Sequence, residues 1–431
     1  MIKHDAAAAP ALMEYLDSLI LHGVKLGLHN IEQLLAAVDN PHRRYPIVHV
    51  AGTNGKGSVL TFLNAMLRAA GYHTGRFTSP HLTTVHERFL IDDRPIGDDT
   101  LVDNLAALKE AAEKAVLSPT YFEMNTAVAF RCFAQCAVDV ALVEVGMGGR
   151  FDATNVVNPQ VCAITTIDYD HTQYLGDTLE QIAFEKAGIL KPGIPAVVGN
   201  VAEGPLKVIN TQAQRTGAPL LHFGDEYTVA PGGDPLHPRM TYHGMGITLN
   251  DVPLGLAGMH QVNNAAVAVT LAGLLRDAFP RLSGKTIEAG LSDARWPGRL
   301  ERVMDTPRVI MDVAHNPAGC RAVAEAMGRC VTVFSVSSDK DVARMLDILA
   351  PVSAPLILTE YTGGRCLPLH ELRRHAARHP HEAHADLTEA VKMGMALASE
   401  DTPLLVTGSI YAVGEVRRML VEQFGAQPIL F

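Results

Sequence analysis

A short glycine-rich segment between an apolar run and a helical stretch constrains this chain more than any other feature. The apolar run is Ile47–Ala51, the segment reads Gly52-Thr53-Asn54-Gly55-Lys56-Gly57-Ser58, and a helical pattern follows over 59–70. Gly71 then stands where a left-handed helix end is expected. A strand, a glycine-rich turn and a helix in this order predict one unit of a parallel α/β sheet.

The rest of the chain repeats this alternation. The run 138–145 is apolar apart from Asp139 and Glu144, as is typical of a central parallel strand, and 161–167 predicts another. Helical patterns cover 179–187 and 261–278. After 296–299 the alternation restarts, with predicted strands at 309–313, 331–336, 356–359 and 404–407 and helices near 318–329, 341–350, 385–398 and 410–424.

These patterns predict an α/β fold with a doubly wound parallel sheet and a second, smaller α/β domain. The domain junction is expected near 295, which gives domains 1–295 and 296–431. The segment 225–255 is rich in glycine, proline and polar residues, which favours a β-rich or loop insertion.

Composition excludes several classes of protein. The chain has 431 residues and a formal net charge of −10, so no basic excess favours general nucleic-acid binding. No apolar stretch is long enough to predict a membrane span, and no basic start followed by an apolar core predicts a signal peptide. The six cysteines include no Cys-x-x-Cys pair, which favours reduced thiols in a cytoplasmic protein.

The glycine-rich segment has the features that phosphate binding needs. Glycines let backbone N–H groups converge on an anion, and the helix start adds its positive dipole end. Lys56 is placed to reach the β- and γ-phosphates, and the Ser58 hydroxyl to face Mg²⁺. The segment departs from the standard nucleotide pattern because Gly57 separates the lysine from the serine. The alternative is an ordinary glycine-rich turn between a strand and a helix.

Further polar residues follow predicted strands or end helices. Glu144 closes an apolar strand before a glycine-rich loop, His171 follows the next strand, Lys186 ends a predicted helix and Ser79 lies in a loop. Each has a structural explanation when taken alone: a solvated carboxylate, a hydrogen-bonding imidazole, or a lysine favoured by the helix dipole. Their combination is what indicates a site.

The segment 52–58 resembles the phosphate loop of the Mur-type ATP-dependent amide ligases. Its Lys-Gly-Ser form resembles the folylpolyglutamate synthase/dihydrofolate synthase branch of that family. Further short motifs follow in the family's order over roughly residues 25 to 415: Leu26-Gly27-Leu28, Ser79-Pro80-His81-Leu82, Glu87-Arg88, Thr120-Tyr121-Phe122-Glu123, Glu144–Arg150, Asp152–Asn155, Asp170-His171-Thr172, Glu185–Ile189, Trp296–Arg299, Asp312–Pro317, Asp339-Lys340-Asp341 and Thr407-Gly408-Ser409. The resemblance implies an N-terminal P-loop ATPase domain and a smaller, Rossmann-like glutamate-ligase domain.

The resemblance also implies roles for individual residues. ATP is expected to be bound by the phosphate loop together with three further residues, Asn264, Arg299 and Asp312. Two Mg²⁺ ions are expected on Ser58, Ser79, Glu144, His171 and Lys186. The pterin substrate is expected near Val24, Lys25, Tyr121, Phe122, Asp152, Ala153 and Thr154. In the second domain, the residues expected near the nucleotide and the incoming glutamate are His315 and Ser409.

Two of these roles concern reaction chemistry. Lys186 matches a lysine that the family carries as a carbamate, which would convert a cation beside the metals into an anionic oxygen ligand. The alternative is an ammonium that contacts the ATP phosphates directly. Lys56 and Lys186 are thus candidate catalytic residues, and His315 is a candidate base.

The activity that the resemblance implies is ATP-dependent addition of L-glutamate to dihydropteroate and to the γ-carboxyl of reduced folates, through an acyl phosphate. Three alternatives stay open: a ligase with one of these activities, a paralogue acting on a non-folate acid, and an ATP-driven switch that makes no amide. Two segments depart from the family pattern, 83–86 and 337–341. The expected partners are small molecules only, with no nucleic acid and no membrane, and the protein is expected to be a monomer.

Overall fold

The structure is a computed structural model that describes residues 8–23, 27–427 and 429–431. The chain forms two compact units: the first comprises Met1–Ala230, Thr241–Val252 and Asn263–Asp293, and the second comprises Pro231–Met240, Pro253–Val262 and Ala294–Phe431. The predicted first domain, 1–295, includes 231–240 and 253–262, whereas the structure groups both segments with the second unit. The functional limits of the two domains stay a prediction.

The first unit is built on an eight-stranded sheet. Its strands are β1 (Ile47–Ala51), β2 (Thr74–Phe77), β3 (Phe89–Ile91), β4 (Arg94–Pro95), β5 (Val140–Glu144), β6 (Val161–Ile164), β7 (Ala196–Val198) and β8 (Leu220–His222). Their order is β4-β3-β2-β5-β1-β6-β7-β8. All neighbouring pairs from β2 to β8 are parallel, which confirms the predicted parallel sheet. Strands β2, β7 and β8 were not predicted, nor were β3 and β4, which pair antiparallel.

The central strands are buried along their whole length, as their apolar runs predicted. β1 lies between β5 and β6, with Val50 paired to Glu144 on one side and to Ala163 on the other. Because these strands are parallel, their carboxyl ends meet at one edge of the sheet. The predicted strand 161–167 ends early, at Ile164, because Thr165 and Thr166 turn to hydrogen-bond the glycine-rich loop.

Ten helices of the first unit are α1 (Ala8–Ser18), α2 (His29–Ala37), α3 (Lys56–Ala69), α4 (Asp98–Lys114), α5 (Tyr121–Gln135), α6 (Thr172–Leu175), α7 (Leu179–Lys186), α8 (Glu203–Thr216), α9 (His260–Leu275) and α10 (Gly284–Asp293), with the first three residues of α9 grouped in the second unit. The predicted helix 59–70 starts three residues earlier, at Lys56, because Gly55 is its N-cap. Gly71 has φ +77°, as expected for a left-handed helix end.

The segment 225–255 was predicted to be a β-rich or loop insertion, and most of it forms a three-stranded sheet. Its strands are β9 (Tyr227–Asp234), β10 (His237–Gly244) and β11 (Ile247–Pro253), in the order β11-β10-β9.

The second unit carries a six-stranded sheet of order β12-β13-β17-β14-β15-β16. The strands are β12 (Glu301–Asp305), β13 (Arg308–Met311), β14 (Cys330–Phe334), β15 (Ser353–Leu358), β16 (Glu382–Ala383) and β17 (Leu404–Thr407). All neighbours are parallel except β12, which pairs antiparallel with β13 and was not predicted. The helices are α11 (Pro317–Met327), α12 (Val342–Leu349), α13 (Leu369–His375), α14 (Leu387–Leu397) and α15 (Ile410–Phe424).

Two negative predictions concern the described residues. No helix among them is long and apolar enough to cross a bilayer. Their six cysteines have free thiols, and four of them are buried.

Candidate active site

The glycine-rich loop is fastened to the segment that follows β6. Thr53 N donates to Thr166 O at 2.8 Å, Asn54 N donates to Thr166 Oγ1 at 3.0 Å, and Thr165 Oγ1 donates to Asn54 O at 2.6 Å. The first amides of the loop are therefore used within the protein. The amides that remain for an anion are those of the first turn of α3, which have no carbonyl partner inside the helix.

Gly55 needs to be glycine for two independent reasons. Its φ is +87°, a conformation that side chains disfavour, and a Cβ added there would lie 2.3 Å from Asn264 Oδ1. The structure thus brings Asn264, on α9, against the phosphate loop. Its adenine contact stays a prediction.

Replacing Gly55 with alanine is expected to lower the thermal unfolding temperature and to raise the KM for ATP, because the loop must move away from Asn264. The backbone strain alone is about 1–3 kcal/mol. Gly217→Ala is the matched control: Gly217 has φ +73° but nothing within 4 Å of an added Cβ. An equal loss of ATP affinity in both variants would contradict the contact with Asn264.

Two lysine side chains share one backbone oxygen at this loop. Lys56 Nζ donates to Gly52 O at 3.0 Å and to Thr53 O at 3.1 Å, while Lys186 Nζ donates to Gly52 O at 2.9 Å. Burial and, to a smaller extent, the nearby charge of Lys56 lower the pKa of Lys186 to about 7, against the opposing charges of Asp170 and Asp152. A substantial fraction of Lys186 is therefore the neutral amine near pH 7.

Glu144 ends β5 at the same edge of the sheet. Its side chain is almost buried, Oε2 accepts a hydrogen bond from Ser79 N at 3.1 Å, and Oε1 lies 4.0 Å from Lys56 Nζ. The structure therefore brings Lys56, Ser79 and Glu144 together, and the shared contact with Gly52 O adds Lys186.

The two other predicted metal ligands have different surroundings. Ser58 is buried in the first turn of α3. His171 has φ +50° just before α6, and its half-exposed ring lies 3.9 Å from Asp170 Oδ2. Asp170 was not among the predicted site residues. The signal for it was its place after β6, at the same carboxyl edge as Glu144.

The donor set fits Mg²⁺ bound together with a nucleotide. Among the described residues, no three His, Cys, Asp or Glu side chains converge as a metal site. The predicted ligands instead comprise two hydroxyls, one carboxylate, one imidazole and a lysine. Mg²⁺ commonly takes one or two carboxylates and completes its shell with phosphate oxygens and water, which such a set allows.

In the second unit, Arg299 lies on a turn held by Asp312. Asp312 Oδ2 accepts from Leu300 N at 2.9 Å and Oδ1 accepts from Ala314 N at 2.8 Å. Burial raises the pKa of Asp312, while the charge of Arg299 opposes that shift. Gly298 and Leu300, on either side of the arginine, have φ +70° and +45°. Asp312 therefore fixes the turn that presents the guanidinium.

His315 and Ser409 follow the neighbouring strands β13 and β17. His315 Nδ1 lies 2.9 Å from Val313 O and donates to it, which leaves Nε2 as the nitrogen with the lone pair. Ser409 is the N-cap of α15 and accepts from Tyr411 N at 3.2 Å. It also bonds the hydroxyl of Tyr361, a residue that the sequence analysis missed.

Comparison with known proteins adds the family. The family model for the Mur ligase middle domain matches residues 50–272, and the model for the Mur ligase glutamate ligase domain matches residues 298–410. The chain belongs to the Mur ligase family. This Mur ligase is 35% identical over 415 residues to the dihydrofolate synthase/folylpolyglutamate synthase of Bacillus subtilis, covering 92% of this chain and 96% of that protein.

Solved structures with this fold carry nucleotides. The folylpolyglutamate synthase of Mycobacterium tuberculosis complexed with ADP and AMPPCP superposes with a TM-score of 0.89 at 33% identity, covering 98% of this chain and 99% of that one. E. coli FolC in complex with DHPP and ADP gives 0.88 at 32% identity, covering 97% and 99%. A bifunctional folylpolyglutamate synthase/dihydrofolate synthase with Mn, AMPPNP and L-glutamate bound gives 0.86 at 32% identity, covering 96% and 98%.

The loop after β5 of this Mur ligase holds the predicted pterin residues. Asp152 Oδ2 accepts from Met147 N at 2.9 Å, and Oδ1 accepts from Thr154 N at 3.0 Å and from Thr154 Oγ1 at 2.5 Å. Burial raises the pKa of Asp152. The backbone of Gly146 also bonds this carboxylate, so it has a structural role in the loop in addition to the predicted contact with substrate.

The other predicted pterin residues differ in exposure. Ala153 is buried in the hydrophobic core, and Phe122 packs against that core. Tyr121 is half-buried, and the centre of its ring lies 5.3 Å from the guanidinium carbon of Arg88. A Cβ added at Gly146 would lie 2.4 Å from the Phe122 ring, so that ring supports the loop. Val24 and Lys25 lie outside the described residues.

Proposed function

We propose that this Mur ligase adds L-glutamate to dihydropteroate and to the γ-carboxyl of reduced folates, using ATP. The observation that carries the proposal is the group of Lys56, Glu144 and Lys186 beside the first turn of α3. An anion-binding helix start, a lysine and a carboxylate are the parts that phosphoryl transfer needs. End-to-end similarity to dihydrofolate and folylpolyglutamate synthases supports the choice of acid and amine.

The nucleotide and metal are proposed on the same grounds. The phosphate loop and Asn264, in the first unit, bind ATP, as the nucleotides in the related structures suggest. The contact of Arg299 with ATP stays a prediction. Two divalent ions are held by Ser58, Ser79, Glu144, His171 and carbamylated Lys186. Bound Mg²⁺ neutralises negative charge on the phosphate oxygens.

The chain's own residues account for the remaining chemistry. The substrate carboxylate takes the γ-phosphoryl group of ATP, which gives an acyl phosphate and ADP. Lys56 and the first amides of α3 stabilise the charge on the transferring group. The amine of L-glutamate then attacks the acyl carbon, and the tetrahedral intermediate collapses to an amide and phosphate.

The amine must lose a proton in this step. We assign the base to His315, because the bond from Nδ1 to Val313 O orients the ring and leaves Nε2 as the acceptor. The second unit thus supplies Arg299, Asp312, His315 and Ser409, as the predicted glutamate-ligase domain should. The monomeric state and the cytoplasmic location stay predictions.

The decisive experiment measures release of ADP and phosphate with and without L-glutamate, using dihydropteroate or tetrahydrofolate as the acid. Glutamate-dependent release with both acids supports the bifunctional assignment. Release with tetrahydrofolate alone identifies a tail-extending enzyme. No glutamate-dependent release with either acid contradicts the proposal and leaves a non-folate acid or a switch.

Asp152→Ala is expected to raise the KM for dihydropteroate more than the KM for a reduced folate, with the KM for ATP almost unchanged. A pterin N–H left without its acceptor costs about 1–3 kcal/mol. Because Asp152 also caps its own loop, Asp386→Ala is the control: Asp386 caps α14 and accepts from Glu389 N at 2.9 Å. Equal losses for both acids would indicate a structural role only.

A further inference from the structure

His49 is a polar residue in an apolar layer. It lies in the middle of β1, fully buried, with Val143 of β5 and Cys162 of β6 as its register partners. Both partners belong to hydrophobic clusters. Burying a polar side chain at such a position costs free energy unless it is hydrogen-bonded, so the hydrogen-bond partner of His49 indicates why a histidine stands there.

That bond runs towards the loop after β5. His49 Nε2 lies 2.8 Å from Thr154 Oγ1, which in turn lies 2.5 Å from Asp152 Oδ1. An ionised carboxylate only accepts, so the Thr154 hydroxyl donates to Asp152 and its oxygen accepts from Nε2–H of His49. Burial lowers the pKa of His49 to about 3, which keeps the imidazole neutral with its single proton on Nε2.

The second ring nitrogen shows that this bond has a cost. Nδ1 of His49 is buried and has no hydrogen-bond partner among the described residues. A leucine would fill the same layer without an unsatisfied atom, so packing does not explain the histidine. The contact with Thr154 explains why a histidine is present.

The contact holds one end of a chain of bonds that spans the loop. Thr154 and Met147, near the two ends of 146–154, are both bonded to the carboxylate of Asp152. His49 of β1 therefore orients this carboxylate through the hydroxyl group of Thr154. We propose that His49 is a positioning residue for the pterin end of the acid substrate, acting on Asp152 through Thr154. The proposal rests on the function proposed above.

The test compares two substitutions at His49 by steady-state kinetics and thermal unfolding. His49→Leu removes the N–H donor and keeps an apolar fill, and we expect the KM for dihydropteroate to rise about tenfold while the KM for ATP stays within about twofold. His49→Gln places an N–H near the position of Nε2 and is expected to recover most of that affinity. Cys162→Ala is the control: Cys162 is the register partner of His49 in the same layer, but its thiol bonds Pro195 O, and the change should leave all KM values unchanged.

Three results would overturn the proposal: an unchanged KM for dihydropteroate in His49→Leu, an equal rise in every KM with loss of stability, or no recovery in a folded His49→Gln. A double variant with Thr154→Val adds an independent check, because removing both partners of one bond should cost less than the sum of the single losses. Failure of the unmutated protein to use dihydropteroate is a different outcome. It overturns the proposed function, and with it the pterin assignment made here.

Discussion

Replacing Lys56 with alanine is expected to lower kcat by on the order of 10²–10³ with either acid substrate. In the structure its ammonium lies between the carbonyl oxygens of Gly52 and Thr53 and 4.0 Å from Glu144 Oε1, at the start of α3. No other residue of the loop carries a cation, so the charge that develops on the transferring phosphoryl group would lose its nearest counter-charge.

The measurement is glutamate-dependent ADP release, with the thermal unfolding temperature recorded beside it. Lys207→Ala is the control, because Lys207 is an exposed lysine of α8 that forms an ion pair with Glu203, 2.6 Å away. That variant should keep full activity. Near-normal turnover by a folded Lys56→Ala protein would exclude the phosphate-loop assignment.

Replacing Lys186 with methionine is expected to lower kcat about as much as Lys56→Ala does, because it removes both the bond to Gly52 O and the proposed carbamate. Carbamate formation joins the neutral amine to CO₂ and releases one proton. With a pKa of about 7, Lys186 is mostly neutral above pH 7 and mostly an ammonium below it. The carbamate should therefore form faster and to a greater extent at pH 8 than at pH 6.

Labelled bicarbonate makes this visible without turnover. A ¹³C NMR carbamate signal is expected from the unmutated protein at pH 8, and it should fade as the pH falls through 7. The signal should disappear in Lys186→Met and persist in the control Lys191→Met. Lys191 is a matched control because it also bonds a backbone oxygen, Asn155 O at 3.0 Å, and also has a lowered pKa. Full activity in CO₂-free buffer would show that Lys186 works as a free amine. Short carboxylates should partly restore Lys186→Ala if the carbamate supplies the missing oxygens.

Local signals account for what the sequence could predict. The apolar run of β1, the glycines after it and the helical pattern of α3 lie within a few residues of one another, so periodicity and turn chemistry identified the unit. Glu144 could be identified in the same way, because the apolar residues before it predict a buried strand that ends at this carboxylate. The antiparallel strands β3 and β4 were not predicted because they are only three and two residues long. β12 was not predicted because its sequence, Glu301–Asp305, is mostly charged and only Val303 is buried.

Long-range contacts account for what the sequence could not predict. Asn54 N bonds Thr166 Oγ1, 112 positions away, so nothing near the loop reveals which of its amides are already used. The shared contact of Lys56 and Lys186 with Gly52 O is of the same kind. In the sequence His49 is a polar residue in an otherwise apolar strand, and its role becomes visible only when the fold places Thr154 within hydrogen-bond distance of its ring.

The fastening of the phosphate loop to the segment after β6 also determines where the chain tolerates changes of length. Thr53 and Asn54 each hydrogen-bond Thr166, so one residue inserted or deleted on either side would shift the donors away from their acceptors and break these hydrogen bonds. His171 lies only five positions beyond Thr166, and the same shift would displace it. In the described part of the chain, the turn at 245–246, between β10 and β11, makes no such bond to the loop. Inserted residues or a fused tag should therefore be accommodated at this turn.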